Sequence, residues 1–354
     1  MKNHFGNLIL LFLMVMQFQC NSQVPQNDAN WNSTPYFADE FNGTTVSTTN
    51  WNYSPPWESC HQETALTTST NNRYVSNGNL NLKIIKENKT CVNPSGTTVT
   101  KPYSSGAVYS KQLFKYGYYE VLCKLPVDTG STYNLKGIGP NFWLFPVPDT
   151  SYFGSVKKSE IDIFEFLNGN YTYSCNIHFQ KLITNTDTLN WDFGNNIINS
   201  VTKKKIDFSV EHKFGCQWSP NTIIFYIDDK QIATTDLRDY CSGLIPMNII
   251  LDINLPTESI MPNSSTKFPY TYPISYVRVY KLKMDCNTDV TPSAFNYSTF
   301  DNKVKRNITV GGTQGLMPVN TTISLRAVQA VTLNDGFEVP IGSEFFASNN
   351  DCEY

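Results

Sequence analysis

At 354 residues the chain is long enough for one large domain and a smaller one. A net charge of −3 argues against capture of nucleic acid or of a strongly anionic polymer by bulk charge, and leaves such ligands only a local basic cleft. Aromatic residues, at 14 %, suit an all-β core and equally a groove that stacks sugars.

The amino-terminal segment has a basic start, Lys2 and His4, and then an apolar run from Leu8 to Met16. That run is too short to span a bilayer, so residues 1–20 read as an export signal. Cys20-Asn21-Ser22 follows, which makes Cys20 a candidate for lipid attachment and an outer-membrane anchor. Ordinary cleavage with free secretion is the other reading. Either way the expected location is secreted or cell-surface. No later stretch is a candidate membrane span, nucleic acid is not an expected partner, and a monomer is expected. The other cysteines are Cys60, Cys91, Cys123, Cys175, Cys216, Cys241, Cys286 and Cys352, and an exported protein can oxidise them. Spacing alone does not fix their connectivity. Cys60 and Cys91 flank a predicted strand pair and make the favoured bridge, whereas Cys123 alternates with core positions and reads as a buried free thiol.

Between residues 30 and 285 almost every periodic segment reads as strand: 80–85, 107–111, 117–124, 161–166, 173–179, 213–218, 223–227, 248–254 and 276–282. Asn/Gly/Pro/Ser/Thr turns such as Ser76-Asn77-Gly78-Asn79 separate them, and no amphipathic helix of ten residues stands out. Many short strands in one region predict an all-β, two-sheet sandwich. Lys203-Lys204-Lys205, the one basic triplet, reads as a solvated loop.

The segment 160–165, Glu-Ile-Asp-Ile-Phe-Glu, packs three carboxylates into six residues among apolar neighbours. Desolvated like charges repel, so a half-buried strand does not collect acids for stability. Strand alternation puts Glu160 and Asp162 on one face. Glu165 sits at an odd offset from Glu160 and in a regular strand would point into the apolar layer of Ile161 and Ile163. One extra residue, a β-bulge near Ile163-Phe164, would return it to the acidic face. Two carboxyls flanking a bond, with a third between them to push their pKa values apart, is the equipment of retaining glycoside hydrolysis. A solvated edge strand with scattered acids is the bland alternative.

After Cys286 the character changes. Residues 287–307 are polar and read as a linker or irregular lead-in. Very short strand pieces with glycine corners follow, among them 323–327, 331–333 and 342–347. Residues 288–354 are therefore expected to hold a linker and a small separate all-β module of unknown role.

Several ordered segments resemble glycoside hydrolase family 16, the laminarinase, lichenase, agarase and carrageenase group. They are Asp39-Glu40-Phe41-Asn42-Gly43 with Trp51, Tyr116-Gly117-Tyr118-Tyr119-Glu120-Val121, Pro140-Asn141-Phe142-Trp143-Leu144-Phe145-Pro146, the acid segment, Trp218-Ser219-Pro220 and Tyr276-Val277-Arg278-Val279-Tyr280. The resemblance covers about residues 33–283. The carboxy-terminal part resembles, more loosely, short β modules of exported Bacteroidetes proteins through its LRA, GF and GSxFxA pieces.

The resemblance implies a concanavalin-like β-jelly-roll with an open cleft. It implies Glu160 as nucleophile, Asp162 as assisting acid and Glu165 as general acid/base, in the bulged spacing seen in laminarinases and red-algal galactanases. It also implies substrate-binding residues. Trp143 and Phe145 share one face of the preceding strand and offer rings to a sugar. Glu120 matches a position where relatives carry a cleft-facing Glu, although Leu122 replaces the Arg expected two residues on. His178 and Asn254 are further cleft candidates, with Trp57, Glu63 and Arg73 behind them. No cofactor is expected. Some members hold a structural calcium through an Asp before the last strand, but here that place reads Ile274-Ser275-Tyr276, without a carboxylate.

The expected activity is a retaining endo-glycosidase on a β-linked polysaccharide, β-1,3-glucan first and a red-algal galactan (agarose, porphyran or carrageenan) second. A non-catalytic carbohydrate-binding protein on the same fold and a transglycosylase are the alternatives.

Overall fold

The computed structural model describes residues 31–53, 59–61, 63–93, 95–127, 137–147, 156–165, 174–182, 188–196, 207–219, 222–237, 244–255, 262, 266–282, 285–290, 297, 304–311 and 317–349. The segment read as an export signal, Cys20 and Trp57 lie outside them. Among the described residues no helix is long and apolar enough to cross a membrane.

Two large sheets form the jelly-roll sandwich expected from the sequence. The seven-stranded sheet runs in spatial order Thr188–Asn196, Ser174–Leu182, Val156–Glu165, Gly139–Phe145, Asn248–Asn254, Ala107–Ser110, Trp51–Tyr53, all antiparallel. The eleven-stranded sheet has Glu211–Trp218, Gly117–Lys124, Tyr270–Tyr280 and Asn79–Val92 as consecutive neighbours at its centre. Alternation decides which side chains meet between the sheets. Phe142, Leu144, Ile161, Ile163, Ile177 and Leu251 face inward from one sheet, and Leu82, Tyr119, Val121, Phe214 and Tyr272 from the other, in one continuous core. Phe164 and Phe214 bring their ring centroids to 4.4 Å across the layer. Each such buried side chain contributes about 1.5–3 kcal/mol. The far face of the eleven-stranded sheet carries a separate aromatic cluster of Trp31, Tyr118, Tyr226 and Tyr280.

Cys60 and Cys91 form a disulfide, as the sequence favoured, and Cys123 is a buried free thiol, as are Cys175 and Cys216. Burial pushes the Cys123 thiol well above its ordinary pKa, which makes it inert.

A third, four-stranded sheet is wholly parallel and follows chain order: Asp285–Val290, Val304–Val310, Thr322–Leu333, Glu344–Asn349. Its own core holds Val290, Ile308, Val310, Ile323, Leu325 and Ala327, with Tyr297, Met317 and Phe337 packed in from the three connections. One large apolar residue from each connection thus packs into this core, a pattern shared with stacked coils. The polar stretch read as a linker supplies the first strand of this coil. Its exposed Asn287, Thr288 and Asp289 concealed it, since only Val290 there turns fully into the core.

Candidate active site

The strand Val156–Glu165 lies between Gly139–Phe145 and Ser174–Leu182. On one side Phe142 pairs with Phe164 and Trp143 with Asp162. On the other, Asp162 pairs with Asn176 and Glu165 with Ser174. Both ladders skip one residue of the acid strand, so Ile163 is the extra residue of a bulge. Burial explains it. Ile163 and Phe164 are both in the core, 2 % and 0 % exposed, and two consecutive side chains can point inward only if the strand kinks between them. The kink turns Glu165 back to the face of Glu160 and Asp162.

That face is chemically dense. Glu160, Asp162 and His178 each offer a ligand atom within 4.8 Å of the others. His178, the cross-strand partner of Glu160, puts Nε2 3.2 Å from Asp162 Oδ2. Lys158, two residues before Glu160 on the same face, has its ammonium 2.9 Å from Glu160 Oε2. Asn176 donates from Nδ2 to Glu165 Oε2 at 3.3 Å. Asp162 is 1 % exposed, and among the described residues its Oδ1 has no hydrogen-bond partner. Burial, and then the charges of Glu165 and Glu160, hold the Asp162 carboxyl well above the usual range, and His178 only partly offsets them. Glu165 is raised as well, first by burial and then by Glu160, against the pull of the Asn176 amide. Asp162 and Glu165 are therefore both biased towards their protonated forms, and their titration belongs to the pair rather than to either residue.

Trp143 and Phe145 lie on this face, half-buried, with ring centroids 5.7 Å apart, while Phe142 and Leu144 fill the core. Asn254 is 9 % exposed on the neighbouring strand and donates from Nδ2 to Asp252 Oδ2 at 2.8 Å. Asp252 is 5 % exposed; its Oδ1 accepts from Asn141 Nδ2 at 3.2 Å and from the Trp143 indole N–H at 3.1 Å. Sequence reasoning passed over Asp252, Asn141 and Asn176. The signal for the first was present: polar residues at 252 and 254 alternate with Leu251 and Ile253, marking a second polar face on an otherwise apolar strand.

Glu120 is a correction. It does not reach the cleft. Tyr119, Val121 and Cys123 of its strand face the core, so Glu120 points away from it, on the far side of the sandwich. There it is fully buried, with Arg278 Nη1 at 3.7 Å and Lys213 Nζ at 3.9 Å. The opposite parity of a strand in the other sheet is the physical reason. Arg73, a weaker candidate, is also buried, its guanidinium 3.4 Å from the Tyr53 ring centroid, and Glu63 pairs with Lys101 at 3.6 Å. At the place where some relatives hold calcium, Ser275 gives a hydroxyl taken up by Asn79 and Glu211. One carboxylate and two neutral oxygens do not fit the several anionic ligands calcium favours.

Comparison with known proteins matches residues 31–282 to the family model described as the GH16 domain of β-porphyranases A–D. Glucan endo-1,3-β-glucosidase A1 of Niallia circulans is 30 % identical over 275 residues, covering 69 % of this chain and 37 % of that protein. β-Porphyranase D of Zobellia galactanivorans is 34 % identical over 110 residues, 30 % of this chain and 25 % of that protein. The chain thus spans well under two thirds of the length of these curated relatives. Among solved structures, LamAcat of Zobellia galactanivorans superposes with a TM-score of 0.54 at 24 % identity, over 70 % of this chain and 98 % of that one, a likeness of fold. Because the family model covers the whole sandwich, bulged acid strand included, the chain belongs to glycoside hydrolase family 16.

Proposed function

We propose that the protein is a retaining endo-glycosidase acting on a β-linked galactan of the red-algal type, with Glu160 as nucleophile, Asp162 as assisting acid and Glu165 as acid/base. The bulge at Ile163 is the observation that carries the reaction class, because it gives the two outer acids a common face. Glu160 attacks the anomeric carbon while Glu165 passes its proton to the leaving oxygen. Glu165, now a carboxylate, then takes a proton from the water that attacks the glycosyl ester, and Glu160 is released. The upward shift of Glu165 suits the acid role, and the ammonium of Lys158 lies 2.9 Å from Glu160 Oε2. This chemistry needs no metal or cofactor.

The sequence put β-1,3-glucan ahead of galactan. Two observations favour reversing that order. The matching family model is of the β-porphyranase type, and the half-exposed cation Lys158 sits beside Glu160, where a sulfated sugar would find a partner. Lys136, the other lysine ahead of the motif, lies outside the described residues, and so does the side chain of Lys157. The glucan reading is kept by the similarity to the Niallia glucanase. A purely carbohydrate-binding role would give no reason for three acids on one kinked strand.

The test is digestion of porphyran, agarose, κ-carrageenan, laminarin and lichenan, scored by new reducing ends and by product linkage, beside Glu160→Gln as control. Cleavage of laminarin alone would overturn the galactan assignment, and full activity of Glu160→Gln would overturn the mechanism. Export, with Cys20 carrying lipid, belongs to the same proposal; palmitate labelling lost in Cys20→Ala would support it.

A further inference from the structure

We propose that Asp252 is a positioning residue of the cleft: by accepting the indole N–H of Trp143 it fixes the plane of the ring against which a sugar unit stacks. The inference rests on the glycosidase reading above and adds to it a fourth carboxylate, from a different strand than the acid segment.

The geometry is specific. Asp252 is central to the seven-stranded sheet, flanked by Asn141 on one neighbouring strand and Ala107 on the other. A carboxylate only 5 % exposed needs partners, because an unsatisfied buried charge is costly. Its donors among the described residues include Trp143 Nε1 at 3.1 Å, Asn141 Nδ2 at 3.2 Å and Asn254 Nδ2 at 2.8 Å. Two of these donors, Trp143 and Asn254, are residues the sequence already marks for the cleft. An indole has one N–H, and anchoring it removes the ring-flip freedom a half-buried tryptophan would otherwise keep. Phe145, with its centroid 5.7 Å from that of Trp143, closes the other side. The ring is thus held before substrate arrives, and its ordering entropy is not charged to binding.

The same carboxylate acts on the acid/base at longer range. The titratable groups around Glu165 are Glu160 and Asp162 on its own strand, His178 from the strand on one side, and Asp252 from beyond the strand on the other. Asp252 adds to the forces that keep Glu165 protonated. This second effect separates a positioning role from a merely structural one.

The experiment compares Asp252→Asn, Trp143→Phe and the double variant, using KM, kcat and the pH profile of kcat/KM on porphyran and on laminarin. Trp143→Phe keeps an aromatic ring and loses only the anchored N–H and part of the area. Each single variant is expected to raise KM about ten-fold, the weight of one hydrogen bond to a charged group. The double variant should be no worse than the weaker single, because both remove one interaction. Asp252→Asn alone should move the basic limb of the profile to lower pH, as one negative charge near Glu165 is lost; Trp143→Phe should leave that limb in place. Unchanged KM in Trp143→Phe, or effects that multiply in the double variant, would overturn the inference. Affinity of the same substitutions in a Glu160→Gln background, titrated with porphyran oligosaccharides, reads the positioning without turnover. A failure of the glycosidase reading, seen in Glu160→Gln itself, is thereby kept apart.

Discussion

Replacing Asp162 by Asn should make the protein more stable at alkaline pH while lowering its activity at every pH. The carboxyl is 1 % exposed and its oxygen lies within 4.8 Å of a Glu160 oxygen. At an effective dielectric constant of about 20, two unit charges at that distance repel by about 3.5 kcal/mol. Burial adds to this, and His178, at 3.2 Å, offsets part of it when protonated. A carboxyl whose folded pKa lies above its unfolded value stabilises the fold only while it holds its proton. Stability is therefore intact below the ordinary aspartate value of about 4 and is lost as pH rises towards the folded pKa. Asn carries no such charge and escapes the loss. The variant should match wild type near pH 4 and exceed it by about 2–3 kcal/mol at pH 9, roughly 5 °C in Tm for a chain of this size. Calorimetric melting across that range is the assay. If Asp162→Asn melted below wild type at pH 9, Asp162 would be an ionised partner of His178 and the account of a raised Asp162 carboxyl would be wrong.

Glu165→Gln should lose about 10²- to 10⁴-fold in kcat on polysaccharide and far less on an aryl glycoside whose leaving group needs no proton, which paired kinetics would reveal. Deleting Ile163 removes the extra residue of the bulge, so alternation turns Glu165 towards the apolar layer. Hydrolysis should vanish and stability should fall by several kcal/mol, checked by reducing-end assay and urea titration. A deletion that kept activity would show that the bulge does not aim Glu165. Cys60→Ser opens a loop with a separation of 31 residues, and chain entropy sets the cost at about 3–4 kcal/mol, readable as a shift in the urea midpoint with kcat unchanged in native conditions.

Much of the sandwich was legible because alternation is a strong signal where one face of a strand is buried. The strands Gly117–Lys124 and Asn248–Asn254 agree residue for residue with their predicted bounds. Tyr270–Tyr280 was read too short at its start, at 276. Pro273 is tolerated because it pairs with Asn81 on one side and has no partner on the other, where pairing begins at Ile274. The bulge followed from parity alone, since an acid at an odd offset from its fellows requires an extra residue. Glu120 went astray because resemblance, not pattern, put it in the cleft, and alternation offered no check: it says which residues share a face but not which sheet, or which side of it, that face belongs to. Asp252 was missed because its partners Asn141 and Trp143 are more than 100 positions away in sequence.

The parallel coil at the carboxy-terminal end has a consequence of its own. Among the described residues each of its strands pairs with the strand before it and the strand after it, as far as Glu344–Asn349. Because each turn contacts its neighbours, duplicating or removing one would change the length of the coil in steps of about 4.8 Å, a quantity an engineer can dial.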